Sequence, residues 1–339
     1  MARRRASVTS IDVARAAGVS QATVSRTFSP IGDAGVSPEM RARVQQAAAE
    51  LGYRPNAIAR SLITRRSRLV ALLFSYLDNP FYAVALEQLC HGLQEKGYRA
   101  IVFMMPNTLA SVDATVEQLL EYQVDGVVTA SVELSSALCE RCMAQGVPVV
   151  TFNRIQDDER LSSVSTDNVR GGRLAAQHLI GIGCDLIGMI GGWQGASTNR
   201  DREFGFRAEL ASQGRALHAY GEGKFSRPVA AEATRAMFGG QGPHPDGLFV
   251  TNDYMALQVM DILRGECNLT IPSDVAVIGF DDIAQAAQGP YDLTTVRQPV
   301  RQMVETAVKI LFDKIDGRSV EPEHVILGAR LIVRGSTKR

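Results

Sequence analysis

The chain has 339 residues, 45% of them hydrophobic, with 36 basic and 36 acidic side chains, so it is long enough for two or three domains and carries no overall charge. No apolar run is long enough to span a bilayer, and the basic start MARRR lacks the apolar core and cleavage site of a secretory signal. We therefore expect a cytoplasmic protein with no membrane partner. Five cysteines, an odd number, argue against a disulfide framework; Cys139 and Cys142 form a lone C-x-x-C in an amphipathic helical stretch, with no second pair or nearby histidine, and read as ordinary thiols rather than a metal site.

The neutral total hides an asymmetry. Residues 1–68 hold twelve basic residues against four acids, a net of +8 that leaves −8 for the rest. A basic head on an acidic body is the electrostatic footprint of a small nucleic-acid module joined to something else. Within the head, Thr9-Ser10-Ile11-Asp12 has the form of a capping box, a hydroxyl followed three residues later by a carboxylate. Val13 and Ala17 share a face, small Ala14 and Ala16 permit a close helix approach, and Gly18 supplies the left-handed position that ends a helix. Ser20 then caps a second helix from Gln21 to about Phe28. Val24 and Phe28 point inward, while Gln21, Ala22, Ser25 and Arg26 point outward.

That outward set suits a recognition helix in a major groove. Arg26 can donate two hydrogen bonds to guanine, Gln21 can read adenine, and the Ala22 methyl can sit on a thymine methyl. After a loop rich in turn formers, Ser37-Pro38-Glu39 starts a third helix that runs to Leu51 and stops at Gly52. Its inner face is expected to be Val44, Ala47, Ala48 and Leu51. Pro55 breaks the chain, Asn56 can cap, and Ala57 to Leu62 can form one or two helical turns, too few to be stable without a partner.

The runs VTSIDVARAAGVSQATVSRTF and VSPEMRARVQQAAAELGYRPNAIARSL resemble the head and hinge of the LacI/GalR family of bacterial transcriptional regulators. The resemblance implies a homodimer on near-palindromic double-stranded operator DNA. It places Gln21, Ala22 and Arg26 at base-reading positions, with Ser25 beside them. It also places Ala59 and Leu62 in a hinge helix that enters the minor groove, where Leu62 would wedge a base step and bend the duplex, and Asn56, at the start of that helix, joins the DNA-binding candidates. The stretch from Phe28 to Val36 is slightly longer than is usual in that family.

From Leu69 the pattern becomes alternating strands and helices. LVALLF, RAIVFM, GVVTA, PVVTF, LIGMIGG, GLFV, VAVIGF and TTVR read as strands, separated by amphipathic helical stretches. Continuous apolar strands between such helices imply doubly wound parallel sheets covered on both faces. Two such units in series suggest two lobes with a cleft between them. The family resemblance extends over this body. It implies a periplasmic-binding-protein-like α/β fold in three parts: a helix-turn-helix domain over 1–55, a hinge helix and linker over 56–68, and an effector-binding and dimerisation domain over 69–339. The first lobe is expected over about 69–180 and 298–326, the second over about 181–297 and 327–336.

Ligands of doubly wound sheets bind where strands end. The polar residues there are Asp78 and Asn79; Asn153 and Arg154; Asp167; Thr198 and Arg202; Asn252 and Asp253; Asp281 and Asp282; and Gln298, with Phe81 and Trp193 beside them. By the family's motifs, Asp78, Phe81, Asn153, Asp167, Arg202, Asn252, Asp281 and Gln298 match effector positions, and Thr198 joins them as a strand-end candidate. Such side chains suit hydroxyl recognition, and Phe81 can stack on a sugar ring, so a sugar or sugar derivative is the favoured effector. Asp167 and Asp281 can equally serve as helix caps.

No cofactor is implied. Gly191-Gly192-Trp193-Gln194-Gly195 is not G-x-G-x-x-G, no phosphate-binding loop or serine elbow occurs, and the five histidines are scattered. The alternative to a repressor is a carbohydrate-binding or carbohydrate-modifying protein that uses the same body without reading DNA. The end of the chain carries no leucine heptads, so a dimer rather than a tail-built tetramer is expected.

Overall fold

A computed structural model describes residues 8–28, 35–54, 66–105, 119–131, 136–155 and 158–339. The chain falls into two compact units, residues 1–67 and 68–339.

In the first unit, α1 (Ser10–Ala17) begins with a complete capping box. The Thr9 backbone N–H donates to Asp12 at 3.0 Å, and the Asp12 N–H donates back to the Thr9 hydroxyl. Gly18, at φ 64°, ends the helix. The Ser20 hydroxyl accepts from the Thr23 N–H at 3.1 Å and starts α2 (Gln21–Thr27). Ser37 caps α3 (Pro38–Leu51), which Gly52 terminates. Val13, Ala14, Ala17, Val24, Val44, Ala47 and Ala48 form the core, rimmed by Phe28 and Tyr53 with ring centroids 5.8 Å apart. Leu51 does not join it: at 39% exposure it sits at the last turn of α3, past the reach of α1 and α2, and Ala16 is exposed as well.

The second unit holds two six-stranded sheets. The first has the order β11-β5-β4-β3-β1-β2 and is all parallel. Its strands are β1 (Leu69–Phe74), β2 (Arg99–Met104), β3 (Gly126–Ala130), β4 (Val149–Phe152), β5 (Ser162–Thr166) and β11 (His324–Leu327). The second sheet, β12-β10-β9-β8-β6-β7, is parallel except for β12. It comprises β6 (Ile187–Gly191), β7 (Ala219–Glu222), β8 (Gly247–Val250), β9 (Ala276–Asp281), β10 (Thr294–Arg297) and β12 (Arg330–Ile332).

Period-two alternation in largely buried strands feeds three apolar clusters, the two faces of each sheet going to different ones. Leu72 and Phe74 face α4 (Pro80–Glu95) and α10 (Val300–Ile315), while Ala71 and Leu73 face α5 (Ser136–Ala144). In the second sheet Leu248 and Val250 face α9 (Asp253–Gly265), which packs on α8 (Arg227–Phe238). Phe249, Ile278 and Phe280 face α6 (Asn168–Gly181) and α7 (Ser197–Ser212).

The chain crosses between the sheets three times, after β5, β10 and β11. The crossings are tied side by side. The Asp167 N–H donates to the Leu327 carbonyl at 2.7 Å, and the Thr166 hydroxyl donates to Gln298 at 2.7 Å. Residues up to about 180 were expected in the first lobe, but α6 packs on the second sheet: Ala175, Ala176 and Leu179 sit against Ile187, Phe206 and Phe249. The crossing therefore precedes that helix. Strands β5 and β7 were not anticipated. The amphipathic helical stretch expected between RAIVFM and GVVTA falls largely outside the described residues.

Candidate DNA-reading face and effector cleft

On α2 the buried residues are Val24 and Thr27, which leaves Gln21, Ala22, Ser25 and Arg26 exposed on the opposite face. The Gln21 amide donates to the Ser10 hydroxyl at 3.0 Å, so its reach is set from the start of α1. Ser20 and Ser37 cap the starts of α2 and α3, and the small side chains of the head core set the outward face of α2. The hinge positions Asn56, Ala59 and Leu62 lie outside the described residues.

In the body, strand ends of the two sheets face one small, nearly closed cavity of about 10 Å3. Tyr76, Asn79, Phe81, Tyr82 and Asn153 line it from the first lobe; Thr198, Arg202, Phe225, Asn252 and Asp281 line it from the second. Arg202 is 2% exposed. Its Nε donates to Asn168 at 2.8 Å, one Nη donates to the Thr251 carbonyl at 2.6 Å, and the guanidinium stacks 3.6 Å from the Phe280 ring centroid. A close helix crossing makes this possible. Gly172 of α6 abuts the Arg202 carbonyl and Gly205 of α7 abuts the Val169 carbonyl, and neither position has space for a Cβ.

Asp281 sits 3.8 Å from Arg202 but takes its hydrogen bonds from elsewhere: Asn79 donates at 2.9 Å from the other lobe, and Gln298 at 2.7 Å from a crossing. Burial lowers the Arg202 pKa despite Asp281. Burial raises that of Asp281 despite Arg202, Asn79 and Gln298. Both shifts mean desolvation outweighs attraction, as in many buried ion pairs. A sugar hydroxyl can accept from one member of such a pair and donate to the other. The backbone here is strained: Ser131, Asn153, Lys224, Phe225, Asp281 and Asp282, all at or just beyond strand ends, have positive φ, and Asp281 reaches 123°. Strain of this kind concentrates at ligand sites, where the surrounding structure holds it in place.

Of the residues expected at an effector, Phe81, Asn153, Thr198, Arg202, Asn252 and Asp281 converge on the cavity. Gln298 stands behind it, bonded to Asp281. Asp78 is exposed and Asn79 takes the inward place, because the Asn79 side chain accepts from the Phe81 N–H and is thereby turned into the cleft. Asp167 caps α6, accepting from the Arg170 N–H at 2.8 Å, and does not line the cavity. Tyr76, Tyr82 and Phe225 line it without having been anticipated. The Asn153 amide donates to the Tyr82 hydroxyl at 3.1 Å, and Phe225 follows the unanticipated strand β7. Trp193, 38% exposed, stands outside the cavity lining with the Arg154 guanidinium 5.8 Å from its ring. Cys139 and Cys142 are buried away from this site, and burial pushes both thiols up to about 11, which suppresses thiolate chemistry.

A family model described as bacterial regulatory proteins, lacI family, matches residues 10–56, and one described as a periplasmic binding protein-like domain matches residues 176–337. The HTH-type transcriptional regulator CelR of Thermobifida fusca is 34% identical, with 96% of each chain covered. The sucrose operon repressor of Streptococcus mutans is 32% identical over 93% of this chain and 95% of its own. Among solved structures, a lac repressor dimer bound to operator and the anti-inducer ONPF shares 27% identity and a TM-score of 0.88 over 98% of this chain and all of its own. A CelR–cellobiose complex shares 32% identity and a TM-score of 0.73 over 97% and 99%.

Proposed function

The chain belongs to the lacI family of bacterial regulatory proteins, and from that premise we propose a homodimeric repressor that reads a near-palindromic operator and changes its hold when a sugar or sugar derivative occupies the cleft. The relatives are regulators rather than enzymes, and the role assigned here requires no catalysis and a cytoplasmic location beside DNA.

One observation carries the effector reading: the buried Arg202–Asp281 pair faces aromatic Phe81 and Phe225 across a single cavity, with Asn153 and Asn252 beside them. Carboxylate, guanidinium and amide groups match a ring of hydroxyls, and aromatic faces match the apolar face of a sugar. At about 10 Å3 the cavity is far smaller than the roughly 300–1,000 Å3 usual for small-molecule sites, so ligand entry requires the lobes to part. The Asn79–Asp281 bond and the bond from the Ile155 N–H to the Ser197 hydroxyl, 3.0 Å, join the lobes and must yield during opening. A ligand that replaces them alters the geometry of the crossings. On the DNA side, Gln21, Ala22, Ser25 and Arg26 read bases, the family resemblance assigns Ala59 and Leu62 to the minor groove, and Asn56 contacts DNA from the start of the hinge.

The test is selection of bound genomic fragments by the purified full-length protein at stated salt, with and without a sugar panel that includes cellobiose. Recovery of a palindrome whose enrichment changes with one sugar is expected. Only salt-sensitive, sequence-independent binding under every condition would sink the repressor reading in favour of a carbohydrate-binding protein.

A further inference from the structure

We infer that Asp253, which lies behind the cavity rather than on it, is the positioning residue that holds Asp281 in the effector cleft, and that closure of the cleft is linked to proton uptake there. The inference rests on the effector reading of that cleft.

Asp253 is the first residue of α9 and is fully buried. One carboxyl oxygen accepts from the Ile283 N–H at 3.0 Å, and the other meets the Thr295 hydroxyl at 2.6 Å. It therefore ties the start of a helix to β10 and to the turn that follows β9. That turn is where the strain is greatest, with Asp281 at φ 123° and Asp282 at φ 59° in succession. A non-glycine residue keeps such a backbone only where its surroundings over-determine it: Arg297 and Arg334 pair with Asp282, and Asp253 anchors the turn at Ile283, two residues beyond Asp281. Gly279 on β9 completes the fit: a side chain there would collide with the Asp253 carboxyl. The pinned residue is the one that takes Asn79 from the opposite lobe.

The charged groups around Asp253 are Asp281 and Asp282 from the end of β9 and Arg202 from α7; β10 contributes the Thr295 hydroxyl and Arg297, which with Arg334 pairs the Asp282 carboxylate. Burial, and then the Asp281 charge, push the Asp253 carboxyl up to about 7. In its neutral form Asp253 keeps both contacts, since its carbonyl oxygen accepts from Ile283 and its hydroxyl pairs with Thr295. When ionised it adds a second buried negative charge behind Asp281. Closing the lobes removes water from Asp281 and so weakens the screening between it and Asp253, and closure therefore favours the neutral form of Asp253.

Hydrogen exchange of the Asp281–Ile283 amides in the full-length protein tests this without a ligand, at pH 6 and 8 and corrected for intrinsic rates. Wild type should lose protection at pH 8. Asp253→Asn, a mimic of the neutral acid, should stay protected at both pH values, and Asp253→Ala should be unprotected at both. Equal protection in all three, or an Asp253→Asn profile that follows wild type, would overturn the assignment. A parallel cellobiose titration should show wild-type affinity weakening by up to about tenfold per pH unit as pH rises toward 7, the limit for one linked proton, and levelling off above it, with Asp253→Asn flat. If the exchange pattern holds while wild type binds neither cellobiose nor any other sugar of the panel, the positioning role stands and the sugar reading falls.

Discussion

Arg202 holds its place by shape as much as by charge. Its planar fork reaches Asn168 and the Thr251 carbonyl while its face lies on Phe280, and a lysine ammonium on a flexible stem cannot do all three. Arg202→Lys should therefore keep the DNA-reading head intact yet lose the effector response. Operator binding measured with and without the effector sugar checks this; an unchanged response would remove Arg202 from the site. Arg26 answers to a different partner. It is exposed on α2, away from the head core, and Arg26→Ala should cost about 1–3 kcal/mol on the operator and relax one base position. An equal loss on random DNA would mean that Arg26 touches phosphate only.

At the scale of elements, the α6–α7 crossing positions the cleft. Gly172 and Gly205 let backbone meet backbone, so Gly205→Ala should push the helices apart, cost about 1–3 kcal/mol of body stability, and weaken sugar binding through Arg202. Urea unfolding of the variant would show the loss; a neutral result would mean the helices can slide without penalty. How well each element could be read from sequence followed from where its partners lie. LVALLF and VAVIGF announce buried parallel strands because each is apolar on both faces. SSVST does not, yet β5 is buried throughout: the Ser162 hydroxyl accepts from the Glu323 N–H and the Thr166 hydroxyl donates to Gln298, partners more than a hundred residues away. No local window contains them. Strand β7 is a short edge strand of mixed polarity, and overlooking it also hid Phe225. The exchange of Asp78 for Asn79 is subtler. Both are polar strand-end residues, and the choice between them rests on one bond to the Phe81 N–H.

For the whole molecule, buried acids and coupled sites set two global properties. Asp253 titrates near 7 when folded and near 3.8 when unfolded, so between those values the folded state binds more protons. Body stability should fall as pH rises across that window and level off above it, and the raised Asp281 acts in the same sense. The lowered carboxylates of Asp158, Glu266 and Asp313 oppose this from exposed ion pairs that solvent screens. Asp253→Asn should flatten the profile and exceed wild type at pH 8 by on the order of 2 kcal/mol, read by urea unfolding at pH 5 and 8. A variant with the wild-type slope would assign the pH dependence to other groups. The second property is reciprocity. If the sugar changes operator affinity by some factor, the operator must change sugar affinity by the same factor, because both describe one thermodynamic cycle. Coupling of this kind is typically about 1–3 kcal/mol, a several-fold to hundredfold effect. Titrating the sugar into the free dimer and into the dimer–operator complex should give a ratio equal to that of the operator affinities measured with and without sugar. Unequal ratios would mean that sugar and operator are not competing for one pair of states, and that an additional equilibrium, such as dimer dissociation, carries part of the response.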